Sequence, residues 1–211
     1  MNKINTFLFD IDGTILDTRE FIIQAAEHSL PTLGYFVPER RVIAQNVGKP
    51  FEEFYFCLTG SEKDIEKLMD AHRAFQAQNF NLAKIFPHSL QTLKTLKERG
   101  HRLAAVTSRS KKTSHQTLID AGIFDLFDTV ISSEDAGALK PDPAPLFKAL
   151  EFMGELPERA VMIGDSHLDI EAGINAGTKT VRVKYGFHTD RLNEPKPDFF
   201  IDDIEDLLKL L

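Results

Sequence analysis

A chain of 211 residues, 42% of them hydrophobic, is long enough to bury roughly 70% of its unfolded surface, so neither disulfides nor a structural metal are needed to fold it. Its one cysteine, Cys57, excludes an internal disulfide and is expected as a small apolar core residue in a reducing compartment. The net charge of -7, relieved only by the short clusters "ERR" and "RSKK", excludes nucleic acid and acidic membranes as main partners, and no apolar stretch reaches the roughly 18 residues that span a bilayer.

Short apolar runs alternate with helical patterns along most of the chain, the signature of a doubly wound parallel sheet covered by helices on both faces. "INTFLF" is the first run. "SLQTLKTLKERG" follows later, with Leu90, Leu93 and Leu96 at helical spacing and Gly100 as its stop, and leads into a second strand, "HRLAAVT". A helix ending at "DAG" precedes "DTVISS"; then come "AVMIGD", "TKTVRV" and "DFFID", before a last helix, "IEDLLKLL".

Residues 18–83 break the rhythm. They offer "EFIIQAAEHSL", "PERRVIAQNVG", "PFEEFYFCL" and "SEKDIEKLMDAHRAFQAQNF", all helical in pattern. In the last, Ser61 and Asp64 have the spacing of a capping box, and Ile65, Leu68, Met69 and Phe75 mark one apolar face. So many residues exceed what a strand-to-strand crossover requires. The expected organisation is therefore an α/β core of residues 1–17 and 84–211 interrupted by a helical subdomain, 18–83, over the carboxyl end of the first strand, where open α/β sheets bind ligands.

Four strand ends carry polar residues: Asp10 and Asp12 after the first, Thr107, Ser108 and Arg109 after the second, Lys140 in "LKPDP" after the third, and Asp165 and Asp169 in "GDSHLD" after the fourth. In a parallel sheet these converge on one edge. Two like charges about 4 Å apart repel by roughly 4 kcal/mol at an effective dielectric near 20, so such a cluster calls for cations. Lys140 is one; an all-oxygen donor set suits Mg²⁺ better than zinc. The inventory fits phosphoryl transfer. Asp10 would attack phosphorus, Asp12 would exchange protons with the leaving oxygen and then with water, and Thr107 and Ser108 would hold phosphate oxygens at a helix start. Lys140 and the metal would neutralise charge.

Each fragment has a plainer reading too. "DIDGT" is turn-forming, "GDSHLD" could be a helix start capped by Asp165 or Ser166, and Lys140 could be a solvated loop lysine. Taken together and in order, "DIDGTILDT", "VTSR", "LKPDP" and "GDSHLD" resemble the four motifs of the haloacid dehalogenase superfamily, and the helical insertion resembles its α-helical cap. "SSEDAGALKPDPAPLFKALEFMG" and "MIGDSHLDIEAGINAGTKTVRV" are similar to its phosphoglycolate phosphatase-like branch, which includes a pyrophosphatase.

That resemblance implies a Rossmann-like core and a Mg²⁺-dependent phosphatase of small phosphorylated metabolites. Asp10 is then the nucleophile, Asp12 the acid/base, and Thr107 and Lys140 the phosphate binders. Asp10, the Asp12 carbonyl and Asp165 are the metal ligands, with Asp169 reaching the metal directly or through water. Asp12 argues against dehalogenation, which members lacking that acid perform.

Phosphoglycolate-type monoesters are favoured; pyrophosphate hydrolysis and sugar-phosphate phosphatase or phosphomutase activity are the alternatives. Ser108 and Arg109 replace the Asn-Lys of many glycolate-type members, which bears on substrate choice. Lys49 in "NVGKPF" and Arg109 are the candidate substrate-binding cations. A phospho-receiver or a degenerate phosphate-binding scaffold are the non-enzyme alternatives, disfavoured by the helical insertion and by the complete set of chemical groups. The histidines are expected to be structural or solvated and the 17 Phe to serve packing. With no basic segment and signal core at the N-terminus, the expected location is cytoplasmic, as a monomer or homodimer.

Overall fold

The computed structural model describes residues 3–188 and 194–210. After β1 (Thr6–Phe9) and the short β2 (Leu16–Asp17), the chain enters α1 (Arg19–Thr32), α2 (Arg40–Asn46), α3 (Phe51–Thr59) and α4 (Ile65–Gln76). It returns through β3 (Lys84–Ile85), which pairs with β2. There follow α5 (Ser89–Glu98), β4 (Arg102–Val106), α6 (Lys111–Asp120), β5 (Thr129–Ile131), α7 (Ala144–Met153), β6 (Ala160–Gly164), α8 (His167–Ala176), β7 (Lys179–Val183), β8 (Phe199–Ile201) and α9 (Leu207–Leu210). Residue contacts divide the chain into two units, one of residues up to Asp17 and from Ile85 onward, the other Thr18–Lys84.

The first unit is α/β. Its six-stranded sheet runs β5-β4-β1-β6-β7-β8 with every pairing parallel, so β1 lies between β4 and β6. In register, Phe9 faces Ala105 on one side and Ile163 on the other. Successive side chains of a strand point to opposite faces, and the two faces bury different sets. Phe7 and Phe9 pack with Leu93, Leu96, Leu118 and Leu207 from α5, α6 and α9. Leu8 packs with Leu146, Leu150 and Ala172 from α7 and α8. A strand covered twice must be apolar at every position, which is why "TFLF" and "AVMIG" read as continuous runs.

Two details of this unit differ from expectation. The buried stripe of α5 is Ser89, Thr92, Leu93 and Leu96, an i, i+3, i+4, i+7 set that leaves Leu90 at its margin and 37% exposed. The last helical segment begins as a 3-10 turn, Ile204–Asp206, capped where Asp203 Oδ1 accepts from the Glu205 amide, before α9 takes over.

The second unit is helical. α1 buries Phe21, Ala25, Ala26 and Leu30 and packs on α4, which buries Leu68 and Met69. Ile65 and Phe75, expected on that face of α4, are half-buried, and His72 and Gln76 are buried in their stead. His72 is accommodated because its Nδ1 lies 2.8 Å from Tyr55 Oη, itself 2.6 Å from Ser29 Oγ. Phe51, Phe54 and Tyr55 surround the imidazole edge-on. Burial pushes the Tyr55 hydroxyl above its ordinary range, so Tyr55 keeps its proton.

Ser61 does not form a capping box. Helix α4 starts later, after Asp64 in a left-handed conformation at φ 61°, and Ser61 Oγ accepts from the Lys63 amide. Cys57 is exposed, contrary to expectation. The buried face of α3 is Phe54 and Tyr55, and two further residues turn a helix by about 200°, which carries Cys57 to the opposite side. Phe36 and Phe152 are 85% and 66% exposed, so packing does not account for every phenylalanine. Among the described residues no helix is long and apolar enough to cross a membrane.

Candidate active site

β1 delivers Asp10 to the carboxyl end of the sheet, where the Asp10 amide still donates to Ile163 O at 2.9 Å as the last rung of the β1–β6 ladder. The chain then turns back, with Gly13 N–H donating to Leu16 O and Tyr185 Oη to Thr14 O. β4 ends at Val106 with Thr107 next in the chain, β6 ends at Gly164, and Lys140 comes from the loop between β5 and α7. The four strand-end groups therefore meet, as parallel topology requires.

Lys140 is the hub. Its Nζ donates to Asp10 Oδ1 at 2.6 Å, Asp169 Oδ1 at 2.6 Å and Val106 O at 2.9 Å, with only 5% of the side chain exposed. A buried ammonium is tolerable only when paired and fully hydrogen-bonded. Burial by itself would lower the Lys140 pKa, but the charges of Asp10 and Asp169 outweigh it and hold the ammonium above its ordinary range. For Asp169, burial pulls upward while Lys140 and the Ser166 hydrogen bonds pull further downward, leaving the carboxyl below its usual value. Asp10 goes the other way. Burial, joined by the charges of Asp169, Asp12 and Asp165, raises it well above the carboxylate range despite Lys140.

The opposite shifts of two carboxyls on one lysine have a simple cause. One ammonium serves two buried acids, and Asp169 alone receives two further bonds, from the Ser166 amide at 3.0 Å and hydroxyl at 2.5 Å. The Ser166 hydroxyl in turn accepts from the Asp169 amide, completing a capping box at the start of α8. The helix-start reading of "GDSHLD" holds, with Ser166 as the capping residue, and the same arrangement sets Asp169 against Lys140.

Asp165 is held from three directions. Its Oδ2 accepts from the Phe187 amide at 2.6 Å and lies 3.3 Å from His188 Nδ1, and its carbonyl accepts from Arg182 Nε at 3.1 Å. Gly13, at φ +82°, and Gly186 press against it so closely that a Cβ on either would collide with the Asp165 side chain. The carboxylates of Asp10, Asp165 and Asp169 lie within 4.8 Å of one another. Three buried acids against one ammonium leave negative charge over, and an all-oxygen donor set of this kind fits Mg²⁺.

Asp12 and Arg109 form a bidentate pair, Nε to Oδ2 and Nη2 to Oδ1, both at 2.7 Å, while Nη1 donates to Thr117 Oγ1. Arg109, expected to face substrate, thus engages the expected acid/base. Thr107 is buried and its Oγ1 accepts from the Arg109 amide at 3.2 Å, whereas Ser108 is exposed. Ser110 caps α6 two residues beyond. Lys49 belongs to the helical unit, where its Nζ lies 3.1 Å from both Glu53 Oε1 and Cys57 Sγ.

Sequence reasoning missed Arg182, Phe187 and His188. An amide donor leaves no letter in a sequence, and His188 belongs to no motif. The one available signal was Gly186, just past the end of β7.

Residues 7–183 match the family model of haloacid dehalogenase-like hydrolases. A pyrophosphatase PpaX of Bacillus cereus is 35% identical over 211 residues, covering 99% of this chain and 97% of the relative. A haloacid dehalogenase-like family hydrolase from Streptococcus pneumoniae superposes with a TM-score of 0.87 at 25% identity, covering 99% of each chain. A predicted phosphoglycolate phosphatase from Haemophilus somnus shares the fold, with a TM-score of 0.89 at 24% identity over 99% of this chain and 98% of that one.

Proposed function

Given that the chain belongs to the haloacid dehalogenase-like hydrolases, we propose that it is a Mg²⁺-dependent phosphatase of small phosphorylated metabolites, working through an aspartyl phosphate on Asp10. The observation that carries this reading is Lys140, buried between Asp10 and Asp169 with Asp165 beside them. An energetically costly buried charge cluster at the ligand-binding edge of an α/β sheet is what nucleophilic phosphoryl transfer requires.

Asp10, the Asp12 carbonyl and Asp165 would hold the Mg²⁺, which when bound neutralises the phosphoryl oxygens and favours the ionised form of Asp10. Lys140 occupies Asp10 Oδ1, and Oδ2 attacks phosphorus. As the new O–P bond forms, the bond to the leaving oxygen breaks, and Asp12 supplies the proton that oxygen needs. Asp12 then takes a proton from water, whose oxygen attacks phosphorus and releases Asp10 and inorganic phosphate. Both Asp12 oxygens accept from Arg109, which Thr117 anchors, so the pairing holds the carboxylate as a proton acceptor, and Asp12 serves as the acid once one of these bonds opens and the released oxygen takes up a proton. Thr107 and the amides that follow it receive the phosphoryl oxygens.

Two substrate classes follow. Phosphoglycolate-type monoesters rest on the sequence resemblance. Pyrophosphate is favoured by the near-full-length relative that bears that activity in its name. Phosphate release from a panel of monoesters and pyrophosphate, with and without Mg²⁺, separates them. Release should be Mg²⁺-dependent and fall at least 10³-fold in Asp10→Asn, the order of loss when a covalent nucleophile is removed. Full activity in that variant would refute the assignment.

A further inference from the structure

Arg182 is out of place in β7. A strand buried at its last four positions should be apolar throughout, yet here Arg182 is 3% exposed, flanked in sequence by the core residues Val181 and Val183. Burying a cation is costly, and a replacement of similar volume without charge would commonly be as stable. Its bonds show what the charge does instead. Nε donates to the carbonyl of Asp165, the register neighbour Gly164 being directly opposite in β6, and Nη1 donates to Glu194 Oε2 at 2.7 Å. Glu194 Oε1 in turn lies 3.7 Å from Nδ1 of His167, the first residue of α8. The turn from β6 into α8, which carries Asp165, is thereby braced at its main chain by Arg182, and Glu194 holds Arg182 in turn.

We infer that Arg182 and Glu194 form a positioning pair for the divalent cation, setting the main-chain placement of Asp165 from the next strand while the Phe187 amide sets its carboxylate. This inference rests on the reading of Asp10 and Asp165 as cation ligands. Neither member touches the reacting atoms. Their contribution is geometric, since a carboxylate that must meet a cation demanding near-ideal octahedral geometry loses affinity when its backbone is released.

Mn²⁺ titrated into the purified full chain, with the free ion followed by electron paramagnetic resonance, tests the pair without any turnover. The Mn²⁺ dissociation constant should rise about tenfold in Arg182→Met and in Glu194→Gln, and by no more in the double variant than in either single one. Thr180→Val, which removes the two hydrogen bonds that the Thr180 hydroxyl makes with the Asp198 carboxylate and amide, serves as the control for general loosening of the strand. It should leave Mn²⁺ affinity at the wild-type value even where its melting temperature falls. Unchanged affinity in folded Arg182→Met and Glu194→Gln, or an equal loss in Thr180→Val, would overturn the pair. Should Arg182→Met fail to fold, Arg182→Lys and Glu194→Gln carry the same reading. Wild-type protein that takes up no Mn²⁺, or an Asp165→Asn variant that binds it normally, would overturn the cation-site reading along with the pair. Loss confined to Asp165→Asn would spare the site and overturn the pair alone.

Discussion

The α/β unit and the helical unit each bury a polar network, and the two are built on opposite terms. Around Lys140 the network is charged, joining Asp10, Val106, Lys140 and Asp169 across as many as 130 residues of sequence. Around Tyr55 it holds no carboxylate or ammonium, running from Ser29 through Tyr55 to His72 inside an aromatic enclosure. A network of hydroxyls and an imidazole can pair among its own members and so specifies packing. A charged one with more anions than cations is incomplete as protein alone, and its incompleteness is what makes it a binding site.

The sharpest way to break the comparison is to remove the hub of each. Lys140→Met should lower kcat on the order of 10²–10³, the usual loss when one charge-stabilising donor to a transition state is deleted. It should also cost about 3–5 kcal/mol in urea unfolding, because Asp10 and Asp169 stay behind as buried acids without their cation. Stability that rises while activity vanishes would show the cluster to be purely functional strain. Tyr55→Phe should cost only about 1–3 kcal/mol, the range for leaving a buried hydrogen-bonding group without its partner.

Between these lies Arg109→Lys. The charge survives, but a point donor cannot reproduce the forked pairing with Asp12. A charge-assisted hydrogen bond contributes about 1.5–3 kcal/mol to stability, so urea unfolding should weaken by up to about that amount, and kcat/KM should drop on the order of tenfold as Asp12 loses its fixed placement. A pure KM effect would move Arg109 from orienting Asp12 to binding substrate.

Most of the sheet was legible because β1, β4 and β6 are covered on both faces and leave largely apolar runs. The acids at the strand ends were legible for the same reason, since parallel strands bring their carboxyl ends to one edge. What escaped were relations set by register and by main chain. The Asp12–Arg109 pair joins residues 97 apart, and the donor nearest Asp165 is an amide. Nothing in "TKTVRV" distinguishes a buried arginine from a solvated one. Local rules failed where a one- or two-residue shift changed the face, as at Cys57 and Leu90, or delayed the helix start, as at Ser61.

The smallest expected effect concerns a carboxyl outside both networks. Asp135 lies beyond β5, where its Oδ2 accepts from the Ser132 hydroxyl at 2.5 Å and amide at 3.0 Å, and its Oδ1 pairs with Lys111 Nζ at 3.0 Å. Partial burial pulls its pKa upward, but the Ser132 bonds and Lys111 together outweigh it and bring the carboxyl from 3.8 down to about 2. A carboxyl with a depressed folded pKa binds fewer protons folded than unfolded, so its stabilisation is complete above the unfolded value. It is lost as pH falls from about 4 toward about 2. Asp135→Asn, which keeps an acceptor but not the charge, should therefore flatten this part of the acid limb. The difference in urea midpoint between wild type and variant should be widest above pH 5 and shrink toward pH 2. Lys111 is more than half exposed, so solvent and salt screen the pair and the widest gap should stay under about 1 kcal/mol. A gap that grows on acidification would mean that Asp135 is held protonated, with the Ser132 hydroxyl accepting from it.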